Sequence, residues 1–143
     1  MPNDPGIFIG VGIDGDSAKL IRRYAESLGI PNLLPMNKYH VSVMYSKISP
    51  SVEYPVIDTE FAIPAYAYDL RYIGNAIAII LNSPWLRWRF SLAKACGIKS
   101  DYPGFIPHMS LCYDPPLNLP IGWYPKPRNI PIILTNEYVE AAK

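Results

Sequence analysis

The sequence contains few of the residues that build metal sites and disulfide frameworks. Its 143 residues include two histidines and two cysteines, Cys96 and Cys112. The spacing of these cysteines matches neither a zinc-binding motif nor a disulfide framework, so we expect reduced thiols in a cytoplasmic protein. Half of the residues are apolar and 17% are charged, which excludes an intrinsically disordered chain and favours one folded domain.

Charge of one sign and long apolar runs are missing as well. Lys and Arg number 13 and Asp and Glu number 12, which leaves a formal net charge of +1. This balance excludes a protein that binds long nucleic acid through bulk charge, yet it permits a small phosphorylated ligand. The longest apolar run covers residues 76–81, whereas a membrane span needs roughly 18 residues, so we expect no membrane partner. The N-terminal residues Met-Pro-Asn-Asp-Pro-Gly lack the pattern of a signal peptide.

Proline and tyrosine, by contrast, are abundant, and the 16 prolines divide the chain into short segments. Alternating apolar residues predict strands at 6–13, 40–45, 61–72, 76–81, 109–113 and 130–138. Helical spacing predicts one helix over 18–28 and a second from about 84 to about 96, stopped by Gly29 and Gly97 respectively. The proline-rich segment 114–128 is predicted to be a long ordered loop or lid.

The chain also repeats itself at a constant offset of 68 residues. The identical pairs are Gly29 and Gly97, Ile30 and Ile98, Pro35 and Pro103, His40 and His108, Ser42 and Ser110, and Tyr45 and Tyr113. We therefore predict a single two-lobed domain over residues 1–143, with lobe-related repeats at about 6–46 and 74–114. The predicted fold is α+β, bilobal and pseudo-symmetric, with two antiparallel sheets lining a central cleft and a helix outside each lobe.

Both histidines of the protein lie in this repeat, and each precedes a serine by two residues. Because side chains alternate along a strand, His40 and Ser42 share one face, and so do His108 and Ser110. The opposite faces are expected to hold the remaining motif residues, namely Val41, Val43 and Tyr45 on one strand and Met109, Leu111 and Tyr113 on the other. A two-fold axis between the lobes brings the four polar groups to one cleft.

Two histidines on opposite sides of a phosphorus atom suit an in-line displacement. The imidazole pKa of about 6.5 lets one ring accept a proton from the attacking oxygen while the other protonates the leaving oxygen. The serine hydroxyls donate hydrogen bonds to the non-bridging oxygens. The alternatives are buried structural histidines, a zinc site, or a serine nucleophile with a histidine base. A serine nucleophile with a histidine base leaves the duplication of the motif unexplained. No Cys, Asp or Glu completes a zinc ligand set at the usual spacing, and we predict neither metal nor cofactor.

With two His-x-Ser motifs on strands of a small pseudo-symmetric chain, the sequence resembles the two-histidine (2H) phosphoesterase superfamily. Within it, the sequence is most similar to the phage anti-CBASS nucleases, which destroy cyclic oligonucleotide signals of bacterial defence. The resemblance implies metal-independent catalysis by His40, Ser42, His108 and Ser110. A ribose 2′-hydroxyl attacks the adjacent 3′–5′ phosphodiester, and a cyclic or 3′-phosphate end remains. It also implies that Glu137 closes over the nucleotide, the alternative being a solvated strand end.

Further substrate contacts are predicted among the aromatic residues. Phe8 shares a strand face with Gly10 and Gly12 and is either a base-stacking group or a core residue. Tyr68 and Tyr72 belong to a predicted stacking wall that also contains Tyr66 and Leu70, although strand tyrosines can equally pack the sheet.

The function that the sequence favours is a phage counter-defence enzyme that cleaves a cyclic di- or trinucleotide in the host cytosol. One alternative is a 2′,3′-cyclic phosphodiesterase acting on RNA ends, and another is a nucleotide-binding sponge without catalysis. The near-neutral charge favours a compact ligand over an RNA end. Two proton-transfer groups favour an enzyme over a sponge, which has no need of them.

Overall fold

The computed structural model describes residues 6–47, 52–102, 104–116 and 118–141, so Pro103 of the repeat lies outside the described residues. Every predicted strand and helix is confirmed, with ends that move by a few residues. The strands and α-helices in chain order are β1 (Ile7–Ile13), α1 (Gly15–Ser27), β2 (His40–Ser46), β3 (Ile63–Ile73), β4 (Ala76–Asn82), α2 (Pro84–Ala95), β5 (His108–Tyr113) and β6 (Ile130–Glu140), and short 3-10 helices cover Met36–Lys38 and Ile121–Trp123.

Both helices begin at a capping side chain in the sequence positions expected for one. The Asp14 carboxylate accepts a hydrogen bond from the Ser17 amide at 2.8 Å, and the Ser83 hydroxyl accepts one from the Leu86 amide at 3.1 Å. Beyond each helix stands a glycine with positive φ, 71° at Gly29 and 100° at Gly97, which ends the helix. In the described part of the chain, neither helix is long and apolar enough to cross a membrane.

The six strands form one antiparallel sheet in the order β2-β1-β6-β3-β4-β5. This corrects the prediction of two separate sheets, while the α+β class stands. The reason is the length of β3 and β6, which have 11 residues each. The first half of β6 pairs with β3, from Ile130 opposite Ala67 to Leu134 opposite Ile63, and its second half pairs with β1. The two long strands therefore join both halves of the chain.

The two ends of the sheet have the same pairing register. Gly10 lies opposite Ser42 as Ala78 lies opposite Ser110, and Gly12 lies opposite His40 as Ile80 lies opposite His108. A β-bulge follows at the same place, between Ile9 and Gly10 in one half and between Ile77 and Ala78 in the other. We propose from these equal registers that residues 6–46 and 74–114 are repeats of one unit within a two-lobed domain.

One face of the sheet packs with both helices into a single hydrophobic core, which contains Val11, Ile79, Ile21 and Leu86. The strands that hold the histidines, β2 and β5, are the two edges of the sheet, yet they lie close together. Backbone hydrogen bonds link each of these strands to the segment that precedes the other one. The Leu34 amide donates to the Leu111 carbonyl at 2.8 Å, and the Asp101 amide donates to the Tyr45 carbonyl at 3.0 Å. The edge strands are thereby held beside each other.

Candidate active site

The two histidines are held by the same kind of contact. His40 Nδ1 lies 2.9 Å from the Lys38 carbonyl oxygen, and His108 Nδ1 lies 2.7 Å from the Ile106 carbonyl oxygen. A carbonyl oxygen only accepts, so each contact assigns a proton to Nδ1. The neutral ring then has an unprotonated Nε2, which accepts a proton, and the cationic ring has an Nε2–H, which donates one. Both rings are therefore oriented for proton transfer through Nε2.

Each serine stands beside its histidine on the same strand. Ser42 and Ser110 are half-buried like the histidines, whereas Val41 and Met109 between them are fully buried. Small residues lie opposite the serines on the neighbouring strands, Gly10 beside Ser42 and Ala78 beside Ser110. No group of three or more His, Cys, Asp or Glu side chains among the described residues is arranged to hold a metal ion.

A cavity of about 740 Å³ opens beside His40 and Ser42. Its lining includes Phe8, Tyr45 and Tyr138, and it also includes Tyr113 of β5. His108 and Ser110 are not among the lining residues. The cavity therefore belongs to the His40 half of the site and touches the His108 strand at its last residue.

Tyr45 and Tyr113 were expected on the strand face opposite the histidines, and the structure corrects this. Ile9 pairs with Met44 and Gly10 pairs with Ser42, so Val43 is an extra residue in β2. Such a bulge reverses the alternation that follows it. Tyr45 consequently lines the cavity together with His40, and Tyr113, after the equivalent bulge in β5, reaches the same cavity. The tyrosine that follows each His-x-Ser motif, Tyr45 or Tyr113, is thus part of the site.

Phe8, expected either to stack on a base or to belong to the core, lies among three other rings that line the cavity. Its ring centroid is 5.9 Å from that of His40 in a T-shaped arrangement, 6.4 Å from Tyr45 and 6.0 Å from Tyr138. The neighbouring Gly10 does not leave backbone open to a ligand. A Cβ atom there would lie 2.5 Å from the Tyr138 ring, so the glycine makes room for this tyrosine.

Tyr68 and Tyr72 do not line the cavity, and the predicted tyrosine wall is interrupted. A register shift between Ala67 and Asp69 buries Leu70 in the core, whereas Tyr66 and Tyr68 are exposed. The hydroxyl of Tyr72 donates to the carbonyls of Pro116 and Leu119 at 3.3 and 3.2 Å. Tyr66, Tyr68, Leu70 and Tyr72 therefore do not share one face, and the Tyr72 hydroxyl binds the proline-rich loop.

The proline-rich loop, expected to act as a lid, is attached at several points. Besides Tyr72, the Tyr24 hydroxyl of α1 donates to the Pro125 carbonyl at 2.7 Å, and Lys126 pairs with Asp69. Burial raises the pKa of Tyr24 to about 12, with a smaller effect of the Asp69 charge in the same direction. Tyr24 therefore remains a hydrogen-bond donor to the loop at neutral pH. Trp123, at the centre of the loop, is 90% exposed.

Glu137 lies elsewhere than predicted. It pairs with Val11 across the ladder, so it points to the core face of the sheet rather than to the face of Gly10 and Gly12. Arg89 of α2 donates to both of its oxygens, from Nη2 at 2.6 Å and from Nε at 3.0 Å. The Tyr54 hydroxyl donates at 2.7 Å and the Ile57 amide at 3.0 Å. We correct the assignment accordingly: the carboxylate is fully buried in a structural network, and a nucleotide has no access to it.

A family model described as Anti-CBASS protein Acb1 matches residues 5–143. The chain belongs to this family. Similar members include the Acb1 protein of Vibrio phage KVP40, which is 28% identical over 138 residues and is matched over 94% of this chain and 86% of its own. The Acb1 protein of Enterobacteria phage T4 is 25% identical over 142 residues, with 96% of this chain and 89% of its own covered.

Solved structures of low sequence identity show the same fold. The structure of E. coli LigT complexed with 3′-AMP superimposes with a TM-score of 0.69 and 12% identity, covering 95% of this chain and 86% of LigT. A crystal structure of a phosphoesterase gives a TM-score of 0.65 and 13% identity, with 95% and 87% covered. The fold is therefore that of the 2H phosphoesterases. The chain thus combines membership of an anti-CBASS family with a fold that it shares with LigT and with a phosphoesterase.

The half of this family member that holds His108 has a charged cluster where the other half has aromatic rings. The Asp69 carboxylate is nearly buried and accepts hydrogen bonds from Arg71 Nε at 2.7 Å, from the Leu70 amide at 2.8 Å and from Lys126. Burial by itself raises the pKa of Asp69, but these hydrogen bonds outweigh it and lower the pKa to about 2. The cluster is thus one carboxylate between two cations.

Proposed function

We propose that this protein cleaves the 3′–5′ phosphodiester linkages of a small cyclic oligonucleotide, such as a cyclic di- or trinucleotide, without a metal ion. The observation that carries the proposal is the matched pair of half-sites. In each, a histidine bonded through Nδ1 to a carbonyl two residues earlier stands beside a serine on an edge strand. Two equivalent acid–base groups fit a reaction in which one proton is removed and another is delivered. As a protein that opposes a bacterial defence, it acts in the cytosol of the infected cell under this proposal.

The proposed step begins with a ribose 2′-hydroxyl of the substrate. One neutral histidine accepts its proton at Nε2 while the oxygen forms a bond to the adjacent phosphorus. The bond from phosphorus to the 5′-oxygen breaks, and the second histidine, in its cationic form, protonates that leaving oxygen. The product has a 2′,3′-cyclic phosphate, or a 3′-phosphate after water adds. Ser42 and Ser110 donate hydrogen bonds to the non-bridging oxygens, where charge accumulates.

The cavity supports a compact nucleotide rather than a long strand. Its volume of about 740 Å³ lies within the range of small-molecule sites. One base can stack against the rings of Phe8, Tyr45 and Tyr138. The centroid of the Phe8 ring lies 6.4 Å from that of Tyr45 and 6.0 Å from that of Tyr138. The net charge of +1 provides no basic track for RNA.

The proposal is tested by incubating the protein with cyclic di- and trinucleotides and with RNA that ends in a 2′,3′-cyclic phosphate, with and without EDTA. We expect cleavage of a cyclic oligonucleotide in EDTA and resistance of the analogue with 2′-deoxyribose at the scissile linkage. His40→Ala and His108→Ala should each lower kcat by about 10²–10⁴, because each removes one proton transfer. Arg87→Ala, an exposed change on α2, is the control for handling and net charge.

Four results contradict the proposal. Loss of activity in EDTA indicates a metal-dependent reaction instead. Reaction of only the RNA ends identifies the 2′,3′-cyclic phosphodiesterase instead, and tight binding with no product identifies a sponge. Near-normal turnover of either histidine variant excludes the two-histidine mechanism.

A further inference from the structure

The two halves of the site have equal registers but different chemistry, and Arg71 marks the difference. Arg71 pairs with Ala78, which pairs with Ser110, so the three residues form one row across β3, β4 and β5. The equivalent row in the other half is Tyr138, Gly10 and Ser42. Directly paired residues point to the same face of a sheet. Arg71 therefore occupies, beside Ser110, the position that the cavity-lining Tyr138 occupies beside Ser42.

The row places Arg71 two strands away from Ser110 on the same face of the sheet. Two strand spacings of about 4.8 Å separate the Cα atoms of Arg71 and Ser110. Ala78 between them is buried and has only a methyl group, so it leaves the surface above it to a long side chain. An arginine that leans across Ala78 reaches the region next to the Ser110 hydroxyl. Because its Cα atom lies two strands away, Arg71 does not take the place of Ser110 at the phosphate that Ser110 binds.

Arg71 is held in a way that leaves its donors to a ligand. Its side chain is 47% exposed, and within the described ranges its hydrogen-bond partner is Asp69, through Nε at 2.7 Å. The four N–H groups on its terminal nitrogens remain for an acceptor, and this fork matches the oxygens of a phosphate. Asp69 is itself fixed by the Leu70 amide and by Lys126, so it orients the guanidinium. With two cations around one carboxylate, the cluster keeps a surplus positive charge.

On the basis of the proposed function, we propose that Arg71 binds the second, non-scissile phosphate of a cyclic oligonucleotide. The scissile phosphate lies between the histidines and serines, and its base stacks in the aromatic cavity of the His40 half. A ring closed by a further phosphodiester places that group on the opposite side of the scissile linkage, toward the cationic row. Arg71 is then a residue that selects a ligand with two phosphates over one with a single phosphate, and Asp69 is its positioning residue.

The experiment compares two ligands that differ in the second phosphate. The dissociation constants of a 2′-deoxy analogue of cyclic di-AMP and of the deoxy linear dinucleotide with one phosphodiester are measured for the wild type and for Arg71→Met. We expect the ratio of the two constants to change about tenfold, the loss of one charge-assisted contact to the second phosphate. Arg71→Lys, which keeps the charge but not the fork, should change the ratio less. Asp69→Asn should shift it in the same direction as Arg71→Met.

Arg87→Met is the matched control, since it removes the same charge from an exposed position on α2. Thermal unfolding of every variant verifies the fold. An equal loss for both ligands, or a ratio that follows the Arg87 control, overturns the assignment of Arg71. Because the analogues are not cleaved, the binding ratio stays measurable even if the wild type cleaves neither natural ligand. Failure of the wild type to cleave either natural ligand refutes the proposed function. The ratio of the two dissociation constants then still tests the contact between Arg71 and the second phosphate.

Discussion

Replacement of Glu137 by alanine should destabilise the protein strongly. The Glu137 side chain has no exposed surface and the Arg89 side chain is 3% exposed. Loss of the carboxylate leaves the guanidinium buried with the Pro55 carbonyl at 2.7 Å and with the faces of Tyr54 and Trp88, both 4.9 Å from its carbon. Removing one partner of a buried ion pair typically costs about 3–5 kcal/mol. For a chain of this length that corresponds to a fall in Tm of roughly 10–15 °C.

The assay is thermal and denaturant unfolding of Glu137→Ala beside Glu26→Ala. Glu26 forms an exposed pair with Arg22 at 3.4 Å on α1, so its loss should cost less than about 0.5 kcal/mol. In the double variant Glu137→Gln with Arg89→Met, both charges are absent and the amide still accepts from Tyr54. It should recover about 1 kcal/mol or more relative to Glu137→Ala.

Equal stability of Glu137→Ala and the Glu26 control would contradict a structural role of Glu137. So would a double variant that is less stable than the sum of the Glu137→Gln and Arg89→Met single changes predicts. A variant that keeps the wild-type Tm but binds the cyclic dinucleotide more weakly would return Glu137 to the role of a nucleotide contact.

Three further predictions concern the charged cluster, the cavity and the loop. Because the pKa of Asp69 is lowered to about 2, its pairing adds about 2 kcal/mol of stability that is present above pH 4 and lost as the pH falls toward 2; urea unfolding across this range should show the loss in the wild type and not in Asp69→Asn. Gly10→Ala places a Cβ atom against the Tyr138 ring, so it should cost about 1–3 kcal/mol and weaken nucleotide binding measured by calorimetry. Tyr72→Phe removes the hydroxyl that donates to Leu119, so amide hydrogen exchange in the proline-rich loop should accelerate while exchange in β4 is unchanged.

The sequence alone determined the secondary structure and the chemical motif. Strand and helix positions follow from local apolar periodicity, caps and glycine stops, which depend on neighbours within a few residues. The two His-x-Ser motifs and their offset of 68 are visible without any long-range information. The α+β class and the family are recognisable from the same local signals.

Contacts between distant segments determine which residues face the site. The bulge at Val43 turns Tyr45 toward His40, and a bulge depends on hydrogen-bond pairing with another strand rather than on local sequence. Glu137 is buried because Arg89, 48 residues earlier in the chain, packs against its strand face. Likewise, the pairing of β3 with β6 converts two expected sheets into one. Each of these outcomes rests on contacts between distant segments, whose free energy is set when the whole chain packs, so alternation along a single strand does not contain them.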